Sequence, residues 1–190
     1  MTRSVAWWIV TGAWWVFLIY WFISSFKVKR TIRRQSLVSR LITLLLVGGG
    51  FQMLFTSMAS DLAETRLVPE SPFLDMMASV AALAGLVLTI WARRTIGENW
   101  SASVTLKADH ELIQTGPYRF VRHPIYTGFL LLALGAAIIP FRTRSFAGVT
   151  LIFAGFWFKL RQEEALMTET FPDEYPRYKS RVKALVPWIL

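Results

Sequence analysis

Apolar residues in this chain gather into five long runs, at 5–26, 41–59, 73–92, 125–141 and 145–160, and most charged residues fall between them. A helix needs about 20 consecutive apolar residues to cross the hydrocarbon of a bilayer. The pattern therefore predicts an all-α, polytopic integral membrane protein with about five transmembrane helices. The first run holds Trp7, Trp8, Trp14, Trp15 and Trp21. It is too long for the core of a signal peptide and lacks the small-residue cleavage site, so a retained helix is expected. The second run carries Gly48-Gly49-Gly50, and the third carries Ala78, Ser79, Ala81, Ala82, Ala84 and Gly85. Such small residues let helices approach closely. The last two runs are short, separated by Arg142-Thr143-Arg144, with Pro140 ending the first of them. They predict a helical hairpin that is tilted or incompletely crossing.

Composition agrees with the bilayer as solvent. The chain is 54% hydrophobic and 17% charged, with a mean hydropathy of +0.43, which leaves too little polar surface for a soluble domain. Its 190 residues suit a single structural domain, read as an N-terminal three-helix region over 1–92 and a C-terminal core over 93–190. No room remains for a separate soluble nucleotide-binding fold. The absence of cysteine excludes disulfides, thiolate metal sites and cysteine nucleophiles. With only His110 and His123 as histidines, no metal centre is expected.

The net charge of +9 is explained by topology rather than by nucleic acid. With five crossings, 17 of the 21 Lys and Arg fall on one side and only Arg3, Arg66, Arg142 and Arg144 on the other. Basic residues favour the cytoplasmic side, so the N-terminus is expected outside and the C-terminus in the cytoplasm. Two hydrophilic stretches, 93–123 and 162–190, then flank the hairpin on the cytoplasmic side and can meet there.

Both stretches carry candidate chemistry. The first leads into GPYRFVRHPIYTG over 116–128, where Gly116-Pro117 signals a turn and Pro124 a helix start. Tyr118, His123 and Tyr126 gather near that helix N-terminus, whose free N–H groups suit an anion. The same residue types also anchor helix mouths to lipid headgroups. The second stretch opens with Lys159, Arg161, Glu163 and Glu164. Cations are expected at a helix C-terminus, but adjacent carboxylates are not. The two glutamates point about 100° apart, so one can face a pocket while the other does not. Further on, Tyr175, Tyr178, Val182 and Leu185 recur at helical spacing, and an interfacial helix with its basic side on anionic lipid is expected.

Taken together, GENWSASVTLKADHELIQTGPYRFVRHPIYTG and KLRQEEALMTETFPDEYPRYKSRV resemble the integral membrane isoprenylcysteine carboxyl methyltransferase family over 97–187. RHPxY alone is shared with phospholipid N-methyltransferases and sterol reductases; HELI, GPY, RHPIY, EE and DEY in this order are more specific. The resemblance implies S-adenosylmethionine as cofactor, in a cytoplasm-facing pocket. It implies cofactor contacts at His110, Glu111, Leu112 and Ile113, then Tyr118, then His123, Pro124, Ile125 and Tyr126, and finally at the acidic pair Glu163 and Glu164, with Glu163 the direct contact. The family has an arginine four residues before that glutamate, near the methyl-accepting carboxylate. Here Lys159 stands there, with Arg161 close by, so the charge survives without the bidentate fork. Lys159, Arg161 and Glu163 are the candidate catalytic residues. The family's glycine before DEY is Pro172 here.

The implied reaction is methyl transfer to the carboxylate of an isoprenylcysteine or other lipid-tailed acceptor, reached from the bilayer. A carboxylate needs no base at neutral pH, so the protein's tasks are positioning and charge placement. An amine or phenol acceptor would need one, with His123 and the glutamates as candidates. The alternatives are a membrane NADPH-dependent sterol-type reductase, a phospholipid-type N-methyltransferase and a non-enzymatic membrane module.

Overall fold

The computed structural model describes residues 1–26, 36–55, 66–100 and 111–190, together with the backbone of two short strands. Among the described residues, six α-helices are formed: α1 (Arg3–Ser24), α2 (Leu37–Phe55), α3 (Pro72–Ile96), α4 (Pro124–Ile138), α5 (Thr143–Thr170) and α6 (Glu174–Arg181). The strands β1 (Thr31–Arg34) and β2 (Thr105–Lys107) pair antiparallel, with Thr31 opposite Lys107 and Arg34 opposite Thr105. That pairing joins the loop after α1 to the stretch that leads into the GPY motif.

Among the described residues, α1, α2 and α3 are long and apolar enough to cross a membrane. Their outward faces carry large bare apolar side chains, among them Trp8, Trp15, Phe22, Leu45, Phe73 and Val87. Exposure on this scale is stable only in hydrocarbon. The 15 residues of α4 reach about 22 Å, less than the hydrocarbon thickness. By contrast α5, at 28 residues, runs about 42 Å and continues ten residues beyond its apolar run. The first part of the expected hydrophilic tail is therefore helix, and it lifts Glu163 and Glu164 on a rigid rod rather than on a loop.

Small residues set the helix pairs. A Cβ on Gly128 of α4 would lie 2.7 Å from the Gly85 carbonyl of α3, and one on Gly135 would lie 2.7 Å from that of Ala78. On the other pair, a Cβ on Gly148 of α5 would lie 2.7 Å from the Gly50 carbonyl of α2. Backbones this close gain dispersion contacts that larger residues would forbid. Of the three-glycine run only Gly50 lacks room for a Cβ at this crossing: Gly48 faces open space, and a Cβ on Gly49 would sit 4.0 Å from Leu151 Cδ1. The centre of the bundle is aromatic: Trp14 meets Phe17, Phe51, Phe55 and Phe129 edge to face at 5.1–5.7 Å.

One expectation changes. The apolar side of the final helix is not turned to lipid, because Tyr175, Tyr178 and Leu185 are buried against the protein itself. The helix is also shorter than its sequence period suggests, ending at Arg181, with Val182 extended. The reason is a backbone pairing: Val121 bridges Lys183 in parallel, and the amides of Arg122 and His123 donate to the Lys183 and Ala184 carbonyls. Arg177, Lys179, Arg181 and Lys183 remain exposed.

Candidate active site

A cavity of about 290 Å³ opens at the end of the bundle that carries the basic loops. It is bounded by the last turns of α1 and α3, the segment from Glu111, the start of α4, the later turns of α5, and α6. Each wall has a local cause. Gly97 ends α3 with φ +56°, and Gly116 turns the chain at φ +59°, where a Cβ would press within 2.9 Å of Thr95 Oγ1. Those conformations favour glycine. The turn tucks Tyr118 beneath the cavity, where its carbonyl accepts from Tyr178 Oη at 2.6 Å. Burial pushes the phenols of Tyr118, Tyr175 and Tyr178 well above their usual range, so all three stay neutral. Trp100 is held at the rim by Arg93, whose guanidinium stacks 4.7 Å from its ring and donates to the Ser24 and Gly97 carbonyls at 2.6 Å.

Polar groups converge on one wall. Glu163 faces the cavity and accepts from Tyr126 Oη at 2.7 Å. Its carboxylate lies 3.7 Å from Lys159 Nζ, one helical turn earlier, and 3.6 Å from His123 Nδ1. The Tyr126 ring is sandwiched between the His123 imidazole, at 5.5 Å, and Phe156, at 4.6 Å. Glu164 lies behind this wall, 3% exposed. It binds Arg122 Nε at 2.9 Å and Nη2 at 2.5 Å, Lys179 Nζ at 2.8 Å, and His123 Nε2 at 3.3 Å. Burial alone raises the Glu164 pKa, but hydrogen bonds from His123, Lys179 and Arg122 outweigh it and hold the carboxyl well below the usual range.

Comparison with known proteins bears on this arrangement. The sequence model of the isoprenylcysteine carboxyl methyltransferase (ICMT) family matches residues 77–169, a span that contains most of the cavity wall. A probable protein-S-isoprenylcysteine O-methyltransferase from Oryza sativa subsp. indica is 30% identical over 139 residues, which are 70% of this chain and 73% of the relative. The chain belongs to the isoprenylcysteine carboxyl methyltransferase family. A methanethiol S-methyltransferase of Bradyrhizobium diazoefficiens is 41% identical over 71 residues, which are 37% of this chain and 24% of that protein. The solved structure of a eukaryotic intramembrane Ras methyltransferase shares the fold, with a TM-score of 0.53 at 23% identity. That likeness covers 76% of this chain, and the chain spans about half the length of the solved protein.

Within this family member, the cavity gathers Glu111, Leu112, Ile113, Tyr118, His123, Ile125, Tyr126, Lys159 and Glu163 from the residues singled out in the sequence. Three others stand apart. Pro124 is buried as the first residue of α4 and is not on the wall. Glu164 turns away, about 100° around α5 from Glu163. Arg161 is exposed and does not line the cavity, as expected two residues, or roughly 200°, from Lys159. His110 lies outside the described residues. The sequence pattern did not single out Arg122, Asn99, Trp100, Tyr175 or Tyr178, which all line the cavity. Arg122 carried a signal, being the first residue of RHPIY. The two tyrosines were visible only as an apolar helical face, and sequence alone does not say whether such a face meets lipid or protein.

Proposed function

We propose that the chain transfers a methyl group from S-adenosylmethionine to the carboxylate of an isoprenylcysteine or another lipid-tailed acceptor, at the cytoplasmic face of the membrane. The observation that carries this reading is the Glu163 carboxylate beside the Lys159 ammonium, 3.7 Å apart, on the wall of a largely apolar cavity. A carboxylate there suits a cationic ligand, and a buried ammonium next to it suits an anionic one. Two ligands of opposite charge can then lie side by side.

The donor set fits the cofactor. Glu163 and Glu111 offer carboxylates to its positive groups, and Leu112, Ile113 and the tyrosines offer apolar walls to its base. When bound, the cofactor supplies an activated methyl group on a positively charged sulfur. Tyr126 holds the Glu163 carboxylate in one orientation. Lys159, 8% exposed, draws the acceptor anion toward that charge, and the apolar wall keeps water from competing. A carboxylate acceptor is already ionised at neutral pH, so no side chain has to take a proton. Phe17, Trp21, Phe129 and Phe156 line the cavity and suit an apolar tail.

A ligand that binds only the native state stabilises it by mass action, by about 2.7 kcal/mol at 100 times its Kd. Purified protein is therefore expected to melt at higher temperature with S-adenosylhomocysteine. Glu163→Gln should weaken that ligand by roughly 1–3 kcal/mol, the cost of a lost charged hydrogen bond. No shift with S-adenosylhomocysteine but a clear one with NADPH would replace this reading with a reductase. The name of the Bradyrhizobium relative favours a second reading, a small thiol acceptor, for which His123 and Glu163 on the cavity wall are candidates to take the proton. Mass spectrometry of products from farnesylcysteine and from methanethiol separates the two.

A further inference from the structure

Glu164 has an odd position for a member of an acidic pair. It is 3% exposed and absent from the cavity wall, yet its carboxylate gathers Arg122, Lys179 and His123. These partners come from three places in the chain: the arm before α4, the N-terminal boundary of α4, and α6. His123 turns its other edge toward the cavity, with Nδ1 3.6 Å from Glu163, beyond direct hydrogen-bond reach. Its ring lies nearly parallel to Tyr126, at 5°, and Tyr126 donates to Glu163. A chain of contacts thus runs from α6 through Glu164, His123 and Tyr126 to the one carboxylate of α5 that faces the cavity.

We propose that Glu164 is a positioning residue, whose carboxylate accepts a hydrogen bond from His123 Nε2–H and thereby fixes the imidazole against Tyr126, so that Tyr126 holds Glu163 toward the cavity. A carboxylate is the strongest acceptor available to an imidazole N–H and selects its tautomer. Arg122 and Lys179 keep Glu164 ionised and immobile, which makes α6 part of the site's support. The link from Glu163 to ligand rests on the function proposed above. The link from Glu164 to His123 does not.

Nitrogen NMR of full-length protein labelled with 15N-histidine tests this directly, because the chain has only two histidines. A His110→Asn sample assigns the pair. Without any ligand, His123 should show a protonated Nε2 and an unprotonated Nδ1. Glu164→Gln should give a mixed tautomer and a roughly tenfold loss of S-adenosylhomocysteine affinity, the size of one lost charge-assisted hydrogen bond. Lys179→Met breaks the tie to α6 but keeps the carboxylate on His123, so it should lower the melting temperature while the tautomer stays single. The proposal is overturned if the wild-type spectrum already shows a mixed or Nδ1-protonated ring, a result that requires no variant to fold. It is also overturned if Glu164→Gln lowers only the melting temperature, leaving tautomer and affinity as in wild type. If wild-type protein binds no S-adenosylhomocysteine, the proposed function fails while the tautomer result still decides the role of Glu164.

Discussion

Lys159 is an unusual cation for a helix inside a membrane protein: it is 8% exposed and pairs with Glu163 one turn away, and its ammonium lies 5.4 Å over the Tyr126 ring. A buried ammonium is a strong centre of attraction for an anion brought into the cavity. Lys159→Ala should therefore depress turnover of a carboxylate acceptor by one to two orders of magnitude while changing S-adenosylhomocysteine affinity little. Lys159→Arg should keep activity, since the guanidinium grips a carboxylate through two hydrogen bonds. Arg161→Ala is the control, because Arg161 is exposed and off the cavity wall. Steady-state kinetics with farnesylcysteine separate these cases. An inactive Arg161→Ala beside a normal Lys159→Ala would mean that the acceptor approaches from the solvent side of α5.

At the scale of elements, the glycines divide by what they face. Gly50 meets α5, and a Cβ there would come within 2.6 Å of the Gly148 carbonyl; Gly48, two residues earlier, has open space. The same substitution should then act in opposite directions. Gly50→Ala forces α2 and α5 apart and should cost about 1–3 kcal/mol, the usual cost of overpacking. Gly48→Ala removes a weak helix former without a clash and should stabilise by up to about 1 kcal/mol. Melting curves in one detergent compare the two directly. Because α5 carries Lys159, Glu163 and Glu164, the Gly50→Ala variant should also lose S-adenosylhomocysteine affinity.

For the whole molecule, the cavity and the basic loops lie at the same end of the bundle: Trp21 lies in the last turn of α1, Ile96 ends α3, His123 precedes α4, and Glu163 lies in the later half of α5. That placement joins the topology argument to the proposed chemistry, since the cofactor proposed above, charged and water-soluble, would have to enter from the aqueous side. Reporter fusions after Ser36 and at the C-terminus should both report cytoplasm. Opposite sides for the two fusions would mean an odd number of crossings among α2 to α5, with one of these helices failing to cross, and the 15 residues of α4 make it the first candidate.

The sequence by itself determined the solvent, the helices and the family. Length of apolar run and charge asymmetry are local properties, and the motif from GPY to RHPIY with the EE pair is linear. It also announced that Glu163 and Glu164 point in different directions, because helix geometry separates neighbours by about 100°. Direction is not destination, however. Which glutamate meets the cavity, whether Tyr175 and Tyr178 cover lipid or protein, and which of three consecutive glycines makes a crossing all depend on the rotation of one helix against another. Small residues decide that rotation through contacts between segments far apart in sequence, as between Gly50 and Gly148 or Gly85 and Gly128. The pairing of Val121 with Lys183 is of the same kind. It draws the last stretch of the chain onto the arm that carries Arg122 and His123, and no periodicity in either segment encodes the encounter.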